Sequence, residues 1–112
     1  MKFFMSLIVG TLALAFSLAS NAAYNSNVRG VLKSVGVYTD GDYIYIRLEN
    51  QPTSHPVCQS TYFVISEEIS TERRQMLLSR LLMAYATKEN VNIGYDSQGN
   101  CAHGYIRLHE VG

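Results

Sequence analysis

The sequence predicts one small, mainly β domain: five strands and a single helix, closed as a barrel. Three observations carry that expectation. Short runs alternate apolar and polar residues, the period of a half-buried strand. One longer run, from Ser70 to Thr87, switches to helical spacing. That helix falls between the third and fourth strands, giving the order β-β-β-α-β-β.

After a polar lead-in at residues 23–27, Val28 to Tyr38 reads as the first strand. Val31, Val35 and Val37 are expected on one face, and Lys33 interrupts it. Gly30 and Gly36 suggest bends or bulges. Thr39–Asp42 is a turn, with Asp40-Gly41 as its strongest signal. From Tyr43 to Leu48 the alternation is clearest. Ile44, Ile46 and Leu48 face in, while Tyr43, Tyr45 and Arg47 face out.

Residues 49–57 form a loop, because Pro52 and Pro56 cannot donate to a strand ladder. A third strand spans Gln59 to Ile65, with Phe63 and Ile65 inward and Ser60, Tyr62 and Val64 outward. Ser70 is a suitable helix N-cap, and Glu72 lies at the positive end of the helix dipole. Leu77, Leu78, Leu81, Leu82, Ala84 and Tyr85 make an apolar stripe, leaving Arg73, Arg74 and Arg80 to water. Val91, Ile93 and Tyr95 mark a fourth strand, and residues 96–100 a hairpin loop. The fifth strand runs from Ala102 to Val111, with Ile106 and Leu108 on one face and Tyr105, Arg107 and His109 on the other.

This order is that of an OB-type barrel capped by its helix. In that topology the third and fifth strands lie side by side and parallel. Cys58 precedes one and Cys101 the other, so a disulfide between them fits the geometry. The alternative fold is an α+β sandwich with the same elements in another spatial order.

The N-terminus carries a secretory leader. Lys2 is followed by an apolar run from Phe3 to Leu18, then by Ala19-Ser20-Asn21-Ala22-Ala23. Cleavage after Ala22 places Ala22 and Ser20 at the two positions that need small side chains. Cleavage after Ala23 would put Asn21 there instead. An uncleaved anchor is the rival reading, but the run is shorter than the ~20 residues of a spanning helix. The expected organisation is a signal peptide at residues 1–22 and a single domain at 23–112, secreted or periplasmic, with no membrane span in the mature chain.

Lys2 is the leader's one charged residue, so the exported part carries one more acid than base. That balance argues against nucleic acid as a partner. Two cysteines in a small exported domain read as one disulfide, Cys58–Cys101. A metal site or a nucleophilic thiol are the alternatives, and neither CxxC nor HxxxH spacing is present. His55, His103 and His109 show no ligand spacing, so no metal and no cofactor are expected. Glu67-Glu68 precede the helix and favour its dipole or solvate the loop. No nucleophile motif supports catalysis, and no catalytic residue is assigned.

The segment Leu81–Ile93 resembles the helix-to-strand segment of the binding (B) subunits of subtilase-cytotoxin-like and pertussis-like AB5 toxins. The matching features are Leu81-Leu82, the aromatic Tyr85 near the helix end, Thr87, and then Val91 and Ile93 flanking one residue. The resemblance covers about a quarter of the exported chain, which is shorter than those subunits and has one cysteine pair. It implies an exported, disulfide-bonded OB-fold protein that assembles as a ring and binds cell-surface glycans. None of that family's sugar-pocket residues can be matched to a position here.

The candidate site follows from the alternation. Tyr43, Tyr45, Arg47, Tyr62, Tyr105, Arg107 and His109, with Ser60, are expected to share one outer face across the second, third and fifth strands. OB-type barrels use this face for oligonucleotides or oligosaccharides. Tyrosine offers a flat apolar ring and a hydroxyl edge to a sugar, and arginine can grip a carboxylate. The alternatives are that tyrosine merely favours strands, or that a subunit covers the face. The expected function is a non-enzymatic binding module for a glycan or a protein partner, with further copies in a ring. A periplasmic inhibitor or accessory protein is the other candidate.

Overall fold

The computed structural model describes residues 24–112. The expected leader and its cleavage site lie outside the described residues. The elements are β1 (Ser26–Val37), β2 (Ile44–Leu48), β3 (Gln59–Ile65), α1 (Thr71–Thr87), β4 (Asn90–Tyr95), β5 (Cys101–Ala102) and β6 (Tyr105–Val111).

The strands run in the order β3-β2-β1-β4-β6, and β3 pairs in parallel with β6 to close the ring. The result is a closed five-stranded mixed barrel of OB type. The short β5 is an arm folded back on β6. Each of the five long strands thus has two neighbours in the ring.

β1 serves two neighbours because it is long. Its first half pairs with β4 and its second with β2. A bulge between Leu32 and Ser34 joins the two halves. The extra residue reverses which parity faces inward. Val28, Gly30 and Leu32 turn in before it, and Val35 after it. Val31, Val35 and Val37 therefore do not share a core face, contrary to the sequence pattern. Only Val35 of the three packs on the core, and Val37 is 60% exposed at the strand end.

The barrel interior holds Leu32, Ile44, Ile46, Leu48, Phe63, Ile65, Val91, Ile93, Ile106 and Leu108. α1 packs across one end and inserts Leu81 and Ala84, both fully buried, with Leu77 and Leu78 at the margin. The buried stripe is narrower than expected. Leu82 and Tyr85 each lie about 100° around the helix from a buried neighbour, and both stay nearly half exposed. Ser70 caps the helix, its Oγ accepting from the Arg73 N–H at 3.3 Å. Lys88 ends it in the left-handed region, φ 56°.

Two of the three arginines expected in water are engaged. Arg74 donates to the carbonyls of Ile69 and Asp42, tying the helix start to the β1–β2 turn. Arg80 pairs with Glu89 and donates to the Gly112 carbonyl. Arg73 remains exposed.

The 49–57 loop is held by two side chains. Gln51 donates from Nε2 to the Ser60 carbonyl and accepts the Leu48 N–H, at 2.9 and 3.0 Å. The Nδ1 atom of His55 accepts the N–H groups of Val57 and Cys58 at 3.2 and 2.9 Å. Nδ1 must then be unprotonated, so Nε2 carries the hydrogen and donates to the Asp96 carbonyl at 2.9 Å. Next to it, Cys58 and Cys101 are disulfide-bonded with Cα atoms 5.6 Å apart. The bond joins the starts of the two chain segments that close the barrel.

The expected fifth strand begins instead with a tight hairpin. Ala102 pairs with Tyr105, and the turn residues His103 and Gly104 have φ of 52° and 82°. Two consecutive left-handed residues are what a two-residue hairpin of this hand needs.

Candidate functional site: an aromatic outer face

The structure gathers five tyrosines on the outside of β1, β2, β3 and β6. Tyr45 meets Tyr62 edge to face at 5.0 Å between ring centroids, and Tyr62 meets Tyr105 likewise at 5.7 Å. Tyr38 leans on both Tyr43 and Tyr45, at 5.2 and 5.3 Å. Tyr43 stacks on the His103 imidazole at 3.9 Å. The path of rings thus begins and ends at the β5–β6 turn, which carries His103 and Tyr105.

Local geometry sets each ring. Alternation along β2 and β3 turns Tyr45 and Tyr62 outward beside each other. Gly36 sits across from Tyr45 in the β1–β2 register. A Cβ at Gly36 would fall 2.1 Å from the Tyr45 Cζ, so the missing side chain gives the ring its seat. The β5–β6 hairpin lifts His103 onto Tyr43. Beneath the rings, Val64 is only 1% exposed although it lies on the outer face. It pairs in register with Tyr45 on one side and Arg107 on the other.

Tyr38 and His103 were not among the residues the sequence pointed to. Tyr38 closes the expected first strand without being assigned to the face; in the structure it follows the end of β1 at Val37. His103 reaches the face only because the fifth strand folds back on itself.

The charged members divide. Arg107 is fully engaged: Nε donates to Asn100 Oδ1 at 3.1 Å, and the terminal nitrogens to Glu68 and to the Cys101 carbonyl, each at 3.2 Å. Arg47 stands on β2 two residues beyond Tyr45, and its Nε is buried without a hydrogen-bond partner among the described residues. His109 lies apart from the tyrosine path. It stacks on Tyr24 at 5.8 Å, is within 2.7 Å of the Asn100 amide, and borders a groove of about 370 Å³ between α1 and β6.

Electrostatics follow from these contacts. The Tyr38 phenol is raised above its ordinary value, first by desolvation among its neighbours and then by Tyr43, Tyr45, Tyr105 and Tyr62. The Glu67 carboxyl is lowered, chiefly by its hydrogen bond with His103 at 2.6 Å. His109 is lowered by burial and by the charge of Arg107. Of the paired acids, Glu67 is hydrogen-bonded with His103 and Glu68 forms an ion pair with Arg107. Among the described residues no group of three or more His, Cys, Asp or Glu side chains stands close enough to hold a metal ion. Nor is any described helix long and apolar enough to cross a membrane.

What the face offers is a run of partly exposed phenol rings with hydroxyl edges, framed by His103, Arg47 and the Arg107–Glu68 pair. Comparison of the chain with known protein families, with curated proteins and with solved structures finds no match.

Proposed function

We propose that this chain is an exported, non-enzymatic binding module whose tyrosine face recognises a carbohydrate. One observation carries the reading: five tyrosines touch in sequence across the outer wall of an OB-type barrel and keep their rings partly exposed. A pyranose ring has an apolar C–H face and a polar rim. Tyrosine answers both, with ring and hydroxyl. The same wall is where OB-type barrels take extended polymers. The Phe3–Leu18 leader and the Cys58–Cys101 bond support export, since disulfides persist in oxidising compartments. The resemblance of Leu81–Ile93 to toxin binding subunits points to the same class of ligand.

A glycan array tests this, run beside the Tyr45→Ala variant. The expected result is binding to a defined set of saccharides that Tyr45→Ala weakens roughly tenfold or more, about 1.4 kcal/mol. Absence of any saccharide binding, or binding indifferent to Tyr45, rejects the carbohydrate reading.

A further inference from the structure

The groove between α1 and β6 lies apart from the tyrosine path and has a volume of about 370 Å³. Ile69, Met76 and Leu77 line it from the helix side, and Val111 from the strand. Ile69, Leu77 and Val111 rest on the core behind it, while Met76 is 68% exposed. An apolar lining with a few polar groups, at this size, is that of a small-molecule site. At about 30 Å³ for each water displaced, the groove has room for about a dozen non-hydrogen atoms.

Its polar groups are donors. Arg73, Arg80 and His109 border the groove, and no acidic side chain lines it among the described residues. Arg80 is engaged by Glu89 and by the Gly112 carbonyl. The Arg73 guanidinium bonds no described residue, and only the backbone N–H of Arg73 is held, by Ser70. His109 offers a second donor. Arg107 Nε donates to Asn100 Oδ1, so the Asn100 amide turns its nitrogen to His109. An amide nitrogen only donates, so His109 Nε2 accepts and Nδ1 carries the hydrogen. No described residue accepts from Nδ1.

The Arg80 contact also gives the groove a direction, since it sets the C-terminal ends of α1 and β6 side by side. His109 stands two residues back along β6 from Val111, about 7 Å. Arg73 stands two turns back along α1 from Arg80, about 10 Å. The two free donors are thus gathered toward one end, and Met76, Leu77 and Val111 continue from them. We propose that the groove binds a free medium-chain carboxylate, with its oxygens on Arg73 and His109 and its aliphatic tail along Met76, Leu77 and Val111. One guanidinium balances one negative charge, and its fork matches a carboxylate. A phosphate dianion would bring a second charge that no free cation of the groove answers. Octanoate is about the size that fits. The groove shares no residue with the tyrosine path, so its occupancy does not depend on a saccharide binding there.

Titration of the purified, disulfide-intact protein with octanoate, followed by amide proton–nitrogen correlation spectra, tests the site. The expected result is saturable shifts at Leu77, His109 and Val111, with a dissociation constant on the order of 100 micromolar. 1-Octanol, equally long but uncharged, should bind roughly tenfold more weakly, and acetate, charged but without a tail, should not saturate. Arg73→Gln should weaken octanoate binding roughly tenfold, and Met76→Glu, which sets a carboxylate in the groove, should abolish it. Both side chains are exposed, and circular dichroism verifies the fold of each variant. Absence of saturable shifts overturns the proposal. So does octanol binding as tightly as octanoate, or an Arg73→Gln variant that binds octanoate like the parent. Shifts that map to Tyr45 and Tyr62 overturn it too, as does binding seen only with vesicles of anionic phospholipid.

Discussion

The ring of Tyr45 rests on the backbone of Gly36, so closely that a Cβ there would fall 2.1 Å from the tyrosine Cζ. The clash involves the far end of a side chain that can swing outward. Gly36→Ala should therefore cost no more than about 1 kcal/mol in stability. It should nonetheless move Tyr45 away from Tyr62 and Tyr38. Near-ultraviolet circular dichroism should change, and saccharide affinity should fall about as far as in Tyr45→Ala. Unchanged affinity with a changed spectrum would show that the seat of this ring does not matter to the ligand.

The Cys58–Cys101 bond spans 43 residues of sequence. In the chain-entropy treatment, closing a loop of that length stabilises by about 4 kcal/mol. A Cys58→Ser/Cys101→Ser chain should unfold at markedly lower urea concentration. An unchanged midpoint would contradict the treatment for this fold.

His55 joins three backbone groups across the loop that leads to Cys58. His55→Phe keeps the ring and removes every hydrogen bond, leaving two N–H donors without their acceptor. The expected loss is roughly 2–3 kcal/mol, read from the equilibrium urea midpoint. A loss within experimental error would mean that water replaces the imidazole.

Acid should destabilise the domain in two windows. His109 is held below its ordinary value near 6.5 by burial and by Arg107. Below about 6.5 the unfolded chain therefore takes up a proton that the folded one refuses, and stability falls until the folded imidazole also titrates. Glu67 is held below its ordinary 4.5 by His103. Its contribution is present above 4.5 and is lost as pH falls through the lowered folded value. Urea midpoints across the acid range should decline in both windows. His109→Gln should flatten the upper one and Glu67→Gln the lower.

The barrel was legible because its signals are local. Alternation in Ile44–Leu48, the Pro-bearing loop and the period change at Ser70 each constrain one element, and their order leaves few topologies. What escaped depends on distant neighbours or on slips of parity. The bulge after Leu32 inverts the faces of β1, and nothing in the valine pattern announces it. Val64 obeys the outward parity yet is buried, in register between two long side chains, Tyr45 and Arg107, on the adjacent strands. Leu82 and Tyr85 read as core because helical spacing gives a direction but not the width of the surface waiting for it. Among the aromatic residues, alternation found Tyr43, Tyr45, Tyr62 and Tyr105. Tyr38 at the frayed end of the first strand and His103 in a hairpin turn needed the folded chain.

The disulfide sits at the seam where β3 and β6 meet. Those strands are the one parallel pair in the barrel, and their contact is what turns a curved sheet into a closed ring. Should the bond be reduced and that seam part, β3 and β6 would each present a row of unpaired N–H and C=O groups. A reduced chain is then exposed to strand-to-strand aggregation as well as to unfolding. The cysteine pair therefore guards the closed barrel against strand-to-strand association as well as against unfolding.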